Sequence, residues 1–185
     1  MTSTFLPHKW DTRQLTVEDS TLDEVQELQQ INDVIPSIRG WTGVEAEDEP
    51  EDPMLFALTE GALPPNGSKE LFRLQSIRLN QTNQLIGFLG TYQGFPSADT
   101  FWVTVIAIHP SFQGQGYGRE LMRELSDIVK QLETLTRMRT FVSLKNWPSL
   151  RFFSQGGFDK IVIIAGDKVH SDEADSFIMP EKSLV

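Results

Sequence analysis

The sequence predicts one mixed α/β domain, and three observations lead to this prediction. The chain has 185 residues, a length that suits a single domain with a sizeable core. Strand-like segments dominate its middle, whereas a helix-period pattern dominates the part that follows. A glycine-rich turn separates the two, and no internal repeat or low-complexity segment divides the chain. We therefore expect one domain over residues 1–185, with hairpins early and strand–helix units late.

The first third of the chain predicts helices and loops. Apolar residues recur at helical spacing over 21–34, and Thr21 with Glu24 can form a capping box at the start of this helix. Six carboxylates then fall within 45–52, and charges this dense resist packing, which predicts a loop or a mobile lid. A short helix over 54–60 and a turn-rich segment are expected to follow.

The middle of the chain predicts strands. Residues 71–79 and 84–92 read as two strands joined by a polar turn, which indicates an antiparallel hairpin. Residues 100–108, TFWVTVIAI, form the strongest strand pattern, since they are β-branched or aromatic and apolar on both faces. A strand of this kind is typical of the centre of a sheet that helices cover on both sides.

The last third returns to helices alternating with strands. One wide apolar stripe predicts a helix directly after the glycine-rich turn; its members are Leu121, Met122, Leu125, Ile128, Val129 and Leu132. The rest of the pattern predicts a strand over 140–144, a helix over 148–155 and closing strands over 158–165 and 176–180.

The composition excludes several classes of function. Without cysteine the chain can form no disulfide, thiolate zinc site or cysteine nucleophile, and its three histidines lie too far apart for an HExxH motif, so we expect no metal. A formal net charge of −10 without a basic cluster argues against nucleic acid. An acidic surface favours a cationic partner such as an amine, or serves solubility alone.

The sequence offers no sign of a membrane or secretory address. No apolar run approaches the roughly 20 residues that span a bilayer. The first residues also lack a basic start followed by an apolar stretch. We therefore expect a cytoplasmic protein with no membrane contact.

The glycine-rich turn is the segment in which the sequence predicts a binding site for a phosphate group. A strand, a glycine loop and a helix in succession bind phosphate well, because the first N–H groups of the helix lack partners and the helix dipole is positive there. Gly114, Gly116 and Gly118 let an anion approach the backbone. The string is neither a P-loop nor a dinucleotide fingerprint, since Arg119 stands where a third glycine is needed. A tight connection without any ligand is the alternative reading.

Two motifs resemble those of the GNAT superfamily, acetyl-CoA-dependent N-acetyltransferases. Gln113-x-x-Gly116-x-Gly118 matches the Q/R-x-x-G-x-G/A signature and follows Ile-His-Pro at the end of the central strand. The segment 146–158, NWPSLRFFSQGGF, is similar to the second landmark, in which an asparagine precedes Gly-Phe by eleven and twelve residues. The resemblance is specific over 100–158 and implies the GNAT fold, a mixed and mostly antiparallel sheet with helices on both faces.

The resemblance also implies how acetyl-CoA is held. Backbone amides of 113–119 would cradle the pyrophosphate, and the free edge of the central strand would pair with the pantetheine amides. Asn146, which is also a candidate helix cap, would hydrogen-bond the pantetheine near the thioester, with Ser149 and Phe152 beside it. The implied acetyl-CoA-binding residues are Ile106, Ala107, Ile108, Gln113, Gly114, Gln115, Gly116, Tyr117, Gly118, Arg119, Asn146, Ser149 and Phe152.

The catalytic positions of the family are not matched. Phe153 stands where many members have a tyrosine that protonates the thiolate, and Trp102 stands where some have a glutamate base. Thr104 and Ile106 are expected to share the face of Trp102, and neither is a base. Tyr92, Asn146 and Ser149 are the catalytic candidates, and a lid carboxylate or a water chain could act instead. His109 is expected to be non-catalytic.

The resemblance implies an N-acetyltransferase that moves acetyl from acetyl-CoA to a primary amine, with a small molecule as the favoured acceptor. A protein N-terminus or lysine is the alternative acceptor. A degenerate acyl-CoA-binding or regulatory module without turnover is the alternative class, because Phe153 and Trp102 depart from the family pattern. A homodimer remains open.

Overall fold

A nine-stranded sheet organises the part of the chain that the computed structural model describes, residues 5–35, 50–167 and 176–185. The strands are β1 (Lys9–Asp11), β2 (Leu15–Asp19), β3 (Phe72–Leu79), β4 (Leu85–Gln93), β5 (Thr100–Ile108), β6 (Arg137–Thr140), β7 (Val142–Ser143), β8 (Lys160–Gly166) and β9 (Ser176–Ser183). The α-helices are α1 (Val25–Asp33), α2 (Pro53–Thr59), α3 (Tyr117–Lys130) and α4 (Trp147–Gln155).

The sheet is mostly antiparallel, as predicted. Strands β1 to β6 lie side by side in chain order, and β9 pairs with both β6 and β7 while β8 covers its other edge. Among the described pairs only β5 with β6 is parallel, because α3 crosses between them. Strand β5 therefore lies near the centre of the sheet, as its apolar sequence requires.

Helices cover both faces of the sheet and create two apolar cores. On one face the buried stripe of α3, including Leu121 and Leu125, packs with Phe153 of α4 against the sheet. On the other face α1 and α2 supply residues such as Leu28 and Met54. This arrangement confirms the fold class predicted from the sequence.

Most elements lie where the sequence predicts them. The helix predicted over 21–34 begins with the expected capping box of Thr21 and Glu24, first as a 3₁₀ turn and then as α1. The predicted hairpin forms between β3 and β4, and the predicted strand 100–108 coincides with β5. The predicted lid, 45–52, lies outside the described residues except for its last three; of these, Asp52 caps α2 by accepting from the amide of Leu55 at 2.8 Å.

The strands differ from the prediction in two respects. The single strand expected over 140–144 is two strands, β6 and β7, separated at Phe141. Strands β1 and β2 were not predicted at all. Strand β1 has three residues, of which Trp10 alone is buried, so it is too short to show a periodic pattern.

A β-bulge at Thr104 divides β5 into two parts. Gly90 of β4 pairs with Val105 and Thr91 pairs with Val103, so Thr104 is an extra residue with no partner in the register. Trp102 packs in the core beside α1 and α2, whereas Ile106 packs against the core of α3. The expectation that Trp102 and Ile106 share a face is therefore wrong, because the bulge shifts the alternation by one residue.

Candidate functional site

The second half of β5 has a free edge. Strand β6 pairs with β5 only from Thr100 to Val103, and β7 pairs with β9 instead of continuing along β5. Among the described strands, none pairs with this edge of residues 104–108. A cleft of ≈ 700 Å³ opens here, bounded by β5, the loop 113–118 and α4.

The loop after β5 is shaped by its glycines. Gly114 and Gly116 have φ of +74° and +90°, a left-handed conformation that side chains rarely adopt. Gly116 is also the N-cap of α3, so the first amides of a 14-residue helix face the loop without intrahelical partners. An added Cβ at either glycine would have open space around it. These glycines are therefore required by the backbone conformation, which leaves room for a ligand.

Two glutamine side chains hold the loop in place. Gln113 Nε2 donates to the carbonyl oxygen of Ile108 at 2.7 Å, and Gln115 Nε2 donates to that of Ser111 at 3.0 Å. His109 acts in the same way, since its Nδ1 accepts from the Ser111 amide at 3.2 Å and caps the 3₁₀ turn Pro110–Phe112. These side chains brace the backbone whose amides would meet an anion.

The opposite wall of the cleft belongs to α4. Asn146 is the N-cap of this helix, with its Oδ1 accepting from the Ser149 amide at 3.1 Å. Phe152 lies one helical turn after Ser149, close to Gly118 of α3. A side chain at position 118 would crowd this ring, because a Cβ added to Gly118 would lie 3.1 Å from it. Gly118 thus allows α3 and α4 to approach each other closely beside the cleft.

The structure brings nearly all the predicted acetyl-CoA-binding residues to this cleft. Twelve of the thirteen line it, and Gln115 is the one that does not appear among the described lining residues. The twelve are Ile106, Ala107, Ile108, Gln113, Gly114, Gly116, Tyr117, Gly118, Arg119, Asn146, Ser149 and Phe152. Their role in binding acetyl-CoA remains a prediction.

Sequence reasoning missed two cationic residues of the cleft. Arg123 lies one turn after Arg119 on α3, so helical spacing could have identified it. Lys182 comes from β9, and no local signal connects it to the loop. Its Nζ donates to the Ser126 hydroxyl at 2.9 Å, and burial together with the nearby charge of Lys130 lowers the pKa of its ammonium group. With the amino end of α3, these residues make the cleft positive in a chain of net charge −10.

Only two of the three catalytic candidates lie at the cleft. Ser149 and Asn146 line the cleft, whereas Tyr92 is buried elsewhere and its hydroxyl accepts from the Ser68 amide at 2.9 Å. Phe153 packs in the core between Phe152 and Phe158, with ring centroids 5.1 Å from each. No carboxylate or histidine occurs among the described residues that line the cleft.

The part of the chain that the structure describes holds no group of three or more histidine, aspartate or glutamate side chains that could bind a metal ion. None of the helices in 5–35, 50–167 and 176–185 is long and apolar enough to cross a membrane.

Comparisons with known proteins point to one family. The sequence pattern of the acetyltransferase (GNAT) family matches residues 35–158. A comparison with curated protein sequences gave no significant match. Among solved structures, an acetyltransferase (GNAT family) from Bacillus anthracis has a TM-score of 0.67 at 16% identity, covering 95% of this chain and 98% of that chain.

Two other similar solved structures are of proteins whose names state the acceptor of the acetyl group. The ribosomal-protein-S18-alanine N-acetyltransferase from Escherichia coli has a TM-score of 0.63 at 17% identity, covering 92% of this chain and 94% of that one. The spermidine/spermine N-acetyltransferase from Vibrio cholerae, solved with manganese ions, has a TM-score of 0.61 at 16% identity, covering 92% and 93%. At these identities the likeness concerns the fold.

Proposed function

Because the chain belongs to the acetyltransferase (GNAT) family, we propose that it transfers the acetyl group of acetyl-CoA to a primary amine of a small molecule. The observation that carries this proposal is the cleft in which the glycine loop, the free edge of β5 and the start of α4 meet. Each of these three features offers a different kind of contact, and together they match a long ligand with an anionic end and an amide-bearing arm.

The anionic end of acetyl-CoA belongs at the loop. Backbone amides of 113–119 would donate to the pyrophosphate, with the amino end of α3 behind them. Arg119, Arg123 and Lys182 supply positive charge along the same cleft. Phosphate groups prefer such a site because backbone donors and fixed cations replace their water without reorganisation.

The pantetheine arm belongs along β5. The amides of this arm can pair with the free edge of Ile106, Ala107 and Ile108 as an added strand would. The carbonyl of Ile108 already accepts from Gln113, so this position is fixed before the ligand arrives. Asn146 and Ser149 then stand beside the arm on the other wall.

The reaction is a direct acyl transfer. The amine nitrogen attacks the thioester carbonyl, a C–N bond forms, the C–S bond breaks, and CoA leaves as a thiolate. Backbone donors stabilise the oxyanion of the tetrahedral intermediate. Since the described lining offers no carboxylate or histidine, the amine attacks in its neutral form, and the proton that its nitrogen loses as the amide forms passes to water. Solvent or another proton donor then reprotonates the thiolate.

Release of free CoA tests the proposal. Thiol formation from acetyl-CoA is measured with and without a panel of monoamines, polyamines, amino acids, aminoglycosides and peptides. Amine-dependent release is expected for a small amine. Release with peptides alone would identify a protein acetyltransferase, and tight acetyl-CoA binding without release would identify a binding module.

A pair of glycine variants tests the position of acetyl-CoA. Gly116→Val places a branched side chain in the loop and should weaken acetyl-CoA binding more than tenfold by calorimetry. Gly94→Val is the matched control, because Gly94 has a φ of +93° and open space around it but lies in the β4–β5 turn. Both variants lose stability through the same backbone strain. Equal acetyl-CoA affinities in the two variants would contradict the proposed position.

A further inference from the structure

One carboxylate lies at the positive end of α3 without appearing in the described lining of the cleft. Glu120 is the acidic residue in the first turn of this helix. Arg119 precedes it, Arg123 follows it by three residues, and both arginines line the cleft. No ion pair among the described residues includes either arginine, so both charges remain available to an anion.

The turn between β1 and β2, residues 12–14, holds the Glu120 carboxylate. Thr12 Oγ1 and the Gln14 amide both donate to Glu120 Oε1, at 2.5 Å and 2.7 Å. The Gln14 side chain donates through Nε2 to Oε2 at 2.7 Å. We name this turn the carboxylate clamp. Both oxygens of the carboxylate are thus bound by residues that are distant from α3 in the chain.

The carboxylate clamp is itself held in shape by backbone contacts. The Thr12 amide donates to the carbonyl oxygen of Leu15 at 2.7 Å, and the Leu15 amide donates to Thr12 Oγ1 at 2.9 Å. From the β3–β4 turn, the Asn80 amide donates to the carbonyl oxygen of Gln14 at 2.9 Å. The donors that meet Glu120 are therefore ordered by the fold, which lowers the entropic cost of holding the carboxylate.

The clamp also keeps this carboxylate ionised. Burial raises the pKa of Glu120, but the hydrogen bonds from Thr12 and Gln14 outweigh burial, so the pKa lies below its ordinary value of 4.5. The positive charge of Arg123 lowers this pKa as well, so the two side chains are within electrostatic reach of each other. A full negative charge therefore lies close to the cleft at neutral pH, and its position matters for an anion.

We propose that the carboxylate clamp maintains the phosphate site by keeping the charge of Glu120 away from the diphosphate of acetyl-CoA. This inference rests on the proposed function, and it gives Thr12 and Gln14 a positioning role. Side chains three residues apart are neighbours on a helix, so a released Glu120 carboxylate would approach Arg123, neutralise its charge and repel the diphosphate. The clamp thus acts on the affinity for acetyl-CoA.

A double-mutant cycle provides the test. The affinity for CoA is measured by calorimetry at low ionic strength for the parent, for Thr12→Ala with Gln14→Ala, for Glu120→Gln, and for all three changes combined. Loss of the two clamp side chains should weaken CoA binding about fivefold, because the released charge repels the diphosphate. Glu120→Gln should bind CoA at least as tightly as the parent, because its side chain is neutral. In the Glu120→Gln background the clamp changes should alter the affinity by no more than about twofold.

The ionic strength and a matched glutamine variant separate charge from stability. The weaker binding of the clamp variant should recover as salt is raised, since exposed charges are screened. Gln14→Ala alone disturbs the turn less and should show a smaller loss of affinity in the same direction. Gln29→Ala is the control, because Gln29 Nε2 donates to Asp33 Oδ1 at 2.6 Å on α1; it should preserve the affinity for CoA.

Two results would overturn the inference while the proposed function stands. One is a clamp variant with a lower melting temperature but the affinity of the parent, which would show that the contact only tethers β1 and β2 to α3. The other is a Glu120→Gln variant that binds CoA as weakly as the clamp variant. If the parent itself binds no CoA, the proposed function is wrong.

Discussion

At the scale of single residues, Phe152 and Phe153 show how neighbours on one helix acquire different tasks. Phe152 lines the cleft and packs close to Gly118 of α3. Phe153, in contrast, is 5% exposed and packs on Phe158 in the core between α3 and the sheet. Successive residues of a helix point about 100° apart, so one can face a ligand while the next faces the core. Phe153 stands where many family members have the tyrosine that protonates the thiolate, and in this chain that position belongs to the core.

Phe153→Tyr tests this assignment. The added hydroxyl should enter the core, where an unpaired polar group costs about 1–3 kcal/mol. We expect a lower melting temperature and no gain in turnover. Phe152→Tyr is the comparison, because its hydroxyl can remain in the cleft and should cost less stability. Faster turnover of Phe153→Tyr, or a changed alkaline limb of its pH profile, would show that the ring reaches the thioester.

At the scale of elements, the contact between β4 and β5 positions the free edge. Gly87 of β4 pairs with Ile108, and a Cβ at this glycine would collide with the carbonyl oxygen of Ala107. The bulge at Thr104 then turns the second half of β5 away from the path that β6 follows. The Thr104 hydroxyl is buried without a hydrogen-bond partner among the described residues, so the bulge is retained despite this cost.

Gly87→Ala should displace residues 106–108. Since backbone rather than a flexible side chain blocks the new Cβ, we expect a loss of about 2 kcal/mol or more in the free energy of unfolding. The KM for acetyl-CoA should rise several-fold. Gly94→Ala, which meets open space, should lose about 1 kcal/mol through backbone strain and keep its KM. Equal kinetics in both variants would mean that β5 does not position acetyl-CoA.

At the scale of the whole molecule, one buried carboxylate connects three strands at the end of the sheet. Glu181 of β9 is 6% exposed and pairs with Arg139 of β6 and Lys160 of β8. Burial raises the pKa of Glu181, but hydrogen bonds from Arg139 and Lys160 outweigh it, so the pKa lies below its ordinary value of 4.5. The charged form is therefore the one that the fold stabilises.

Acid should weaken this connection. Because the pKa of Glu181 is lower in the folded than in the unfolded chain, its stabilisation is complete above about pH 4.5 and disappears as the pH falls through the folded value. We expect Glu181→Gln to lose about 2 kcal/mol at pH 7 and to depend less on pH below 5. Denaturant unfolding at several pH values measures both effects.

Glu18→Gln is the matched control for that measurement. Glu18 is 36% exposed and pairs with Lys9 at 3.0 Å and, more distantly, with Arg78 at 3.8 Å. Such pairs contribute about 0–1 kcal/mol, so this variant should follow the parent at every pH. An identical pH dependence for Glu181→Gln and the parent would show that other carboxylates govern acid unfolding.

The sequence by itself determined the features that local physics controls. Periodicity indicated α3 and β5, turn residues indicated the β3–β4 hairpin, and the glycine spacing indicated the loop, since each depends on residues close together in the chain. The resemblance of two motifs to one family indicated thirteen residues, and twelve of these line a single cleft. Very short strands such as β1 escaped prediction, because three residues carry no period.

Only the tertiary structure decided which residues meet across the sheet. Lys182 reaches the cleft from β9, and Phe177 joins Phe141 and Trp102, although these residues lie far apart in the chain. The bulge at Thr104 places Ile106 and Trp102 on opposite faces of the sheet, although strict alternation would place them on the same face. Such contacts depend on strand order and register, and these follow from the simultaneous packing of both cores rather than from any single segment.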